Sequence, residues 1–423
     1  MELRKWYKLD NAGKIFPSVS TKSRSNIYRL SADMFNLVDP LILQKALELT
    51  IKRFSAFNVR LRKGLFWYYL EANDHYPRIE QESPSMLRAF QSYRDNYGFL
   101  FRVVYYEKRI SVEMFHTLTD GTGALEFLKS IIYTYLSLQD VSLPENVPIL
   151  TENIEQIKEE EQDSFKANFN THLHSARRET RALKYKVPIY KDNWLGLIAG
   201  IIPLDQLKAL SKQHNVTITE YISALLIQAA YQNKDIFEDK NLPFNLMVPV
   251  NLRRFFPSKS LRNFSLFVST SIDLNKPMTF EEILIHVKHD MAEELQRDKL
   301  QAHLTNNVRA EKNIFLRIAP RFLKEWVLKV AYLLLGDRIH SISFSNLGIV
   351  QVPNEMKSYI ERFSFTPGGG RTSPLNLGVI TYENVVTITF STALVNRDLE
   401  RDFFSMLTKQ GVHVIIDHND LEV

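Results

Sequence analysis

Strand-like and helix-like apolar patterns alternate along this chain, and they do so twice, before and after a charged stretch at roughly residues 138–192. That rhythm constrains the fold more than any single motif does, because every strand needs a sheet and every amphipathic helix needs a face to cover. Before the break, "NIYRLSADM" reads as a strand, and "DPLILQKALELTIKRF" as a helix with Leu41, Ala46, Leu47, Leu49 and Phe54 on a wide apolar face. "FNVRLRKGLFWYYLEA" reads as two strands around Gly64, "YGFLFRVVYYEKRISVEMFH" as a hairpin turning at Glu107 to Arg109, and "ALEFLKSIIYTYL" as a closing helix. After the break come strand "LGLIAGIIPL", helix "DQLKALSKQH", and helix "TITEYISALLIQAAYQN" with a capping signal at its start. Strands "FNLMVPVNL" and "NFSLFVSTSID", helix "TFEEILIHVKHDMAEELQRD", two or three helices between 308 and 335, a hairpin and a terminal helix complete the pattern.

A chain of 423 residues exceeds what one core usually serves. The expected organisation is a first subdomain over 1–150, a crossover over 151–193 and a second subdomain over 194–423. Each is α/β (α+β), a mixed sheet with helices. "QDVSLPENVP", the acidic "EQIKEEEQDS" and the basic "HSARRETRALKYK" predict a solvated crossover.

Hydrophobic residues at 45% and charged residues at 24% exclude a largely disordered chain. The 53 basic and 48 acidic residues leave a net charge of +5, too small an excess to imply a polyanionic partner, and the basic stretch lacks the aromatic interleaving of a nucleic-acid site. The absence of cysteine removes disulfides, thiolate metal sites and cysteine nucleophiles, and fits a reducing, cytoplasmic setting. The N-terminus has no apolar stretch of signal-peptide length. Runs 194–204 and 326–335 are shorter than the roughly 20 residues a membrane span needs, so no transmembrane segment is expected. The second run predicts a buried core helix, with an apolar helix lying on a membrane surface as the alternative. No carboxylate–histidine pattern completes a metal site at His172 and His174, or at His286 and His289, and no metal is expected. The glycine-rich "TPGGGRTSP" lacks the ending of a phosphate-binding loop and predicts a loop between strands, lining a substrate path.

One junction carries chemistry. Ile110, Val112, Met114 and His116 share one strand face by the period of two, and Asp120, Gly121 and Gly123 follow where a helix begins. A histidine so placed is held by its neighbours and open on one side. Neutral imidazole, with an ordinary pKa of about 6.5, accepts a proton from a hydroxyl or amine near neutral pH. Asp120 can pair with an arginine and fix the turn, Arg253 first, with Arg254, Arg102 and Arg262 as rivals. The two glycines permit a tight turn and a close approach. The bland alternative is a strand-ending histidine with Asp120 as an ordinary helix cap.

The stretch "HTLTDG" resembles the His-x-x-x-Asp-Gly signature of acyltransferases with the chloramphenicol acetyltransferase-like fold, although Phe115 stands where many relatives have a second histidine. "VPVNLRRFFPSKSLRNF" is similar to the segment in which that superfamily's strand leads to an arginine and a later asparagine near the channel. "FSNLGIV" resembles a strand of its alcohol acetyltransferase branch, and polyketide-associated acyltransferases and condensation domains are other branches. The resemblance implies two similar subdomains with the active site at their interface. His116, Asp120 and Gly121 would be the catalytic set, and Ser345, Asn346 and Arg253 the substrate or oxyanion groups. It also implies transfer from an acyl thioester, acyl-CoA or a carrier-bound acyl group, to an alcohol or amine, with no bound cofactor. An acyl carrier protein is a further partner the resemblance allows. The alternatives are a non-catalytic, condensation-like module that binds a carrier protein, and a thioester hydrolase.

Overall fold

The computed structural model describes residues 5–90, 96–145, 147–171, 180–191, 194–238, 240–332, 336 and 338–419. His172 and His174 lie outside them.

Two main sheets follow the two halves of the alternation. In the first, strands run in the order Ile360–Thr366, Ile27–Met34, Arg109–Phe115, Phe101–Tyr106 and Ile79–Gln81, antiparallel except for the last pair. Helices Pro40–Arg53 and Gly121–Ser137 pack on it. Asp39 caps the first helix by accepting from the Leu41 and Ile42 amides. That helix buries Leu43, Ala46, Leu47 and Ile51, whereas Leu41 in its first turn is 81% exposed. A small three-stranded sheet, Trp6–Lys8, Tyr68–Ala72 and Val59–Lys63, completes this half.

The second sheet has seven strands, in the order Ser265–Ile272, Phe244–Asn251, Ile342–Val350, Leu375–Tyr382, Val385–Thr392, Gly196–Pro203 and Ile415–His418. Ile342–Val350 runs parallel to both of its neighbours and the other pairs are antiparallel. Helix Ile218–Gln232 starts with the expected capping box, Thr217 and Glu220 answering each other's backbone amides. It packs beside Phe280–Glu294 and Asp398–Lys409.

Four features depart from the sequence reading. Strand Ile360–Thr366, from late in the chain, joins the first sheet beside Ile27–Met34, so the sheets are tied by an exchanged strand. The helix expected to run through residue 298 ends at Glu294, and a new one spans Arg297–Lys312. Its apolar phase restarts at Leu300, Leu304 and Val308 in steps of four. The crossover is not wholly solvated. Glu160 is buried and forms two hydrogen bonds, 2.8 and 2.7 Å, with the buried Arg53 guanidinium, and its carbonyl accepts from the Leu261 amide. A carboxylate inside an acidic run can be buried when an arginine meets it with fork geometry. Finally, the run beginning at 326 is not a core helix. Trp326 is 64% and Val327 42% exposed on helix Arg321–Ala331.

Candidate active site

Strand Arg109–Phe115 is buried on both faces, so its period of two does not separate core from solvent. Ile110, Val112 and Met114 are enclosed on one side. On the other, Glu113 binds Arg29 at 2.7 Å and Arg102 at 2.9 Å. Arg102 is thereby removed as a partner for Asp120. His116 follows the strand and continues its ladder by one bond, its amide donating to the Asn26 carbonyl at 3.0 Å.

The imidazole lies against the rings of Phe16, nearly parallel at 5.0 Å between centroids, and Tyr28, tilted at 4.5 Å. Its Nδ1 is buried with no hydrogen-bond partner among the described residues, while the residue as a whole keeps part of its surface on a cavity. Burial pushes the imidazole below its usual pKa of 6.5, and the Asp120 charge, Asn263 and the Thr119 backbone pull the other way. The ring therefore stays neutral and proton-accepting to lower pH than a solvated histidine.

Asp120 is the N-cap of Gly121–Ser137, and it is also more than a cap. Oδ1 accepts from the Thr122 and Gly123 amides at 3.1 and 3.3 Å. Oδ2 accepts from Arg253 Nη1 at 2.7 Å and from the Phe264 amide at 2.8 Å. Arg253 is held in turn by the Ser260 and Arg262 carbonyls and by Asn251. This arginine does not reach the cavity wall, where Arg254 stands instead. Asn263 donates to the His116 carbonyl at 2.9 Å and to Asp10 at 3.1 Å. The segment 248–264 thus grips the turn on either side of the histidine ring.

The glycines make room for protein. A Cβ at Gly121 would stand 2.6 Å from Leu347 Cδ2, and one at Gly123 would stand 2.4 Å from the Leu261 carbonyl oxygen. The close approach expected of a ligand is occupied at these two positions by the second half of the chain.

His116, Asp120, Gly121, Ser345 and Asn346 all line one cavity of about 2110 Å³. Ser345 and Asn346 sit on Ile342–Val350. Asn346 donates to Thr219 Oγ1 at 3.1 Å and accepts from the Gly348 amide at 2.8 Å. The loop 367–370 is on the wall as well. So are the cations Lys8, Lys14, Arg24, Lys166, Arg254, Lys312, Arg317 and Lys324, against the acids Asp120, Glu220 and Glu311. Among the described residues no group of three or more histidine or carboxylate side chains could hold a metal ion.

Two wall residues and one buried residue of the turn were not singled out in the sequence. Phe16 carries no motif, Tyr28 sits inside an ordinary strand pattern, and Thr119 donates to the Leu261 carbonyl at 2.6 Å from within the turn itself. The polar "LTD" of the turn was the available signal for Thr119.

The alcohol acetyltransferase family model matches residues 202–410. No curated protein matches the chain in sequence. Among solved structures the chain is similar to the Fusarium sporotrichioides protein TRI101, solved with coenzyme A and T-2, with a TM-score of 0.63 at 11% identity, over 98% of this chain and 100% of that one. It is similar to trichothecene 15-O-acetyltransferase from the same organism, with a TM-score of 0.61 at 11% identity, over 96% and 94% of the two chains. It is also similar to the wax ester synthase/diacylglycerol acyltransferase of Marinobacter aquaeolei VT8, with a TM-score of 0.56 at 15% identity, over 96% and 100%. The alcohol acetyltransferase pattern lies in the second half, and over its whole length the chain shares the fold of these acyltransferases.

Proposed function

We propose that this acyltransferase moves an acyl group from acyl-CoA to a hydroxyl or amine, with His116 as the general base. The observation that carries the reading is a neutral, half-enclosed imidazole on the wall of a cavity of about 2110 Å³. Ligand pockets usually measure roughly 300–1,000 Å³, so this one has room for donor and acceptor together. The TRI101 structure holds coenzyme A, and the cations on the present wall outnumber the acids, which suits a donor bearing phosphates.

In the proposed step the acceptor's proton passes to the His116 ring as its oxygen or nitrogen bonds to the thioester carbonyl carbon. The C–S bond then breaks as the tetrahedral oxyanion collapses, and the leaving thiolate takes the proton back from the imidazolium. Ser345 is the proposed oxyanion donor. Asn346, with its amide and carbonyl engaged by Thr219 and Gly348, holds the strand that presents it. Arg253 and Gly121 act on Asp120 and on the turn, and Asp120 aims the ring. The absence of cysteine leads us to place the chain in the cytoplasm.

Incubation with a panel of acyl-CoA donors and alcohol or amine acceptors, followed by thiol release and product mass, tests the reading. His116→Ala is expected to lower transfer by about 10²- to 10⁴-fold while the fold is retained. Unchanged transfer in that variant would refute the mechanism. Thiol release that needs no acceptor would instead mark a hydrolase, and calorimetric binding of a carrier protein without turnover would mark a docking module.

A further inference from the structure

Helix Arg321–Ala331 is built inside out. Its inner side is mostly polar around the half-buried Leu328: Arg321 donates to the Gly64 carbonyl and to Glu325, Lys324 to the Phe66 carbonyl, and Tyr68 to Glu325. Its outer side is apolar, with Phe322 70%, Leu323 45%, Trp326 64% and Val327 42% exposed at helical spacing. Ile314 and Ile318 on the preceding short helix are 65% and 63% exposed. The strand-connecting turn that the helix grips adds Leu65 at 74% and Phe66 at 51%. A contiguous apolar surface of this kind marks a docking site.

We propose that this face docks on a bilayer that carries anionic lipid. Three observations select that occupant. Between 312 and 332 the chain has five basic residues, Lys312, Arg317, Arg321, Lys324 and Lys329, and one acid, Glu325; Arg321, Lys324 and Glu325 bond inward, and Lys329 is exposed. Aromatic and aliphatic side chains flanked by lysine and arginine suit the headgroup boundary of an anionic membrane. The helix has 11 residues, against the roughly 20 needed to cross a bilayer, so a bilayer would meet it side-on at the surface. Leu65, Phe66, Leu323 and Val327 also line the cavity, which makes the outer face continuous with its wall. A lipophilic molecule dissolved in the bilayer therefore reaches the cavity without passing through water. The docking does not rest on the acyl-transfer reading.

Flotation of the full chain with vesicles of phosphatidylcholine containing phosphatidylserine, and with phosphatidylcholine alone, is the test. The chain is expected to float with the first, to float less with the second, and to be released by salt. Phe322→Asp with Trp326→Asp, neither of which lines the cavity, is expected to lower partitioning at least about tenfold with an unchanged melting transition. Lys329→Glu is expected to lower it about fivefold. A wild type that floats with neither vesicle overturns the proposal, as does a double variant that floats like the wild type. Light scattering would overturn it as well if the face proves to pair with a second copy of the chain, lost in the double variant, with no partitioning into lipid.

Discussion

The wall around His116 and the outer helix Arg321–Ala331 border the same cavity and use polar groups in opposite ways. At the wall, the Asp120 carboxylate takes four hydrogen bonds from inside the protein, two of them from a segment more than 130 residues away. At the helix, polar side chains latch onto a turn and apolar ones face outward. Buried polar networks hold one geometry because each broken bond leaves an unsatisfied partner. An exposed apolar face held by a few latches has no such penalty against small movements. On the proposed function, the chemistry belongs to the tightly bonded region and access to it to the loosely latched one.

The sharpest way to break the contrast is Asp120→Ala. It strands Arg253, the Phe264 amide and two helix amides at once, and removal of one partner from a buried ion pair costs about 3–5 kcal/mol. The denaturant midpoint should fall accordingly. Asp120→Asn keeps an acceptor for the helix amides and loses the charge pair, so it should fall between Ala and wild type. Equal stability for all three would show that the network does not hold the wall.

Gly123→Ala should come next, at about 1–3 kcal/mol, because its new methyl meets the Leu261 backbone, which has little room to give. Gly121→Ala meets only the end of the Leu347 side chain and should cost less. Thermal melts of the pair decide it, and the reverse order would place the tight contact at the wrong glycine.

Much of the wall was legible in the sequence, and for definite reasons. A strand ending in histidine, a short polar turn and a helix start are local patterns, and the structure has that order, with His116 just after strand Arg109–Phe115 and Asp120 capping Gly121–Ser137. The Arg253 partnership could be named because the resemblance supplied a segment, which periodicity could not have done. Phe16 and Tyr28 escaped because stacking on an imidazole depends on how distant strands are assembled. The exchange of Ile360–Thr366 into the first sheet escaped for the same reason, since strand partners are chosen by tertiary packing. Helix Arg321–Ala331 was misread as core because its apolar face is real, and sequence does not say whether such a face points in or out.

Acid titration of stability should sharpen the comparison further. His116 has its pKa lowered in the folded state, so below 6.5 the unfolded chain binds the extra proton and this group's contribution is lost as pH falls. Asp10, pushed up to about 6 by burial, acts in the opposite sense: it favours the folded state at low pH and ceases to do so as pH rises through about 6. The two partly cancel between the unfolded carboxyl value of 3.8 and about 6. Relative to the wild type, Asp10→Asn should therefore make stability fall more steeply as pH drops, and His116→Ala should make it fall less steeply, each by at most about 1.4 kcal/mol per pH unit. Chemical denaturation across this range measures both, and identical profiles would remove His116 from the titrating set.

The smallest effect belongs to the outer face, and it is the informative one. Trp326→Ala or Phe322→Ala should change stability by no more than about 0.5 kcal/mol, since both side chains are mostly in solvent and fill no cavity in the core. Glu325→Ala, a change of a polar residue on the same helix, should cost about 1 kcal/mol, because Arg321 and Tyr68 both lose a partner on the latched side. In an ordinary amphipathic helix the aromatic truncations are the damaging ones and the polar change is nearly silent. Limited proteolysis between 312 and 332, together with melting curves, measures the order directly. If Trp326→Ala proves more damaging than Glu325→Ala, the helix packs by its apolar side in solution, and the contrast with the His116 wall is lost.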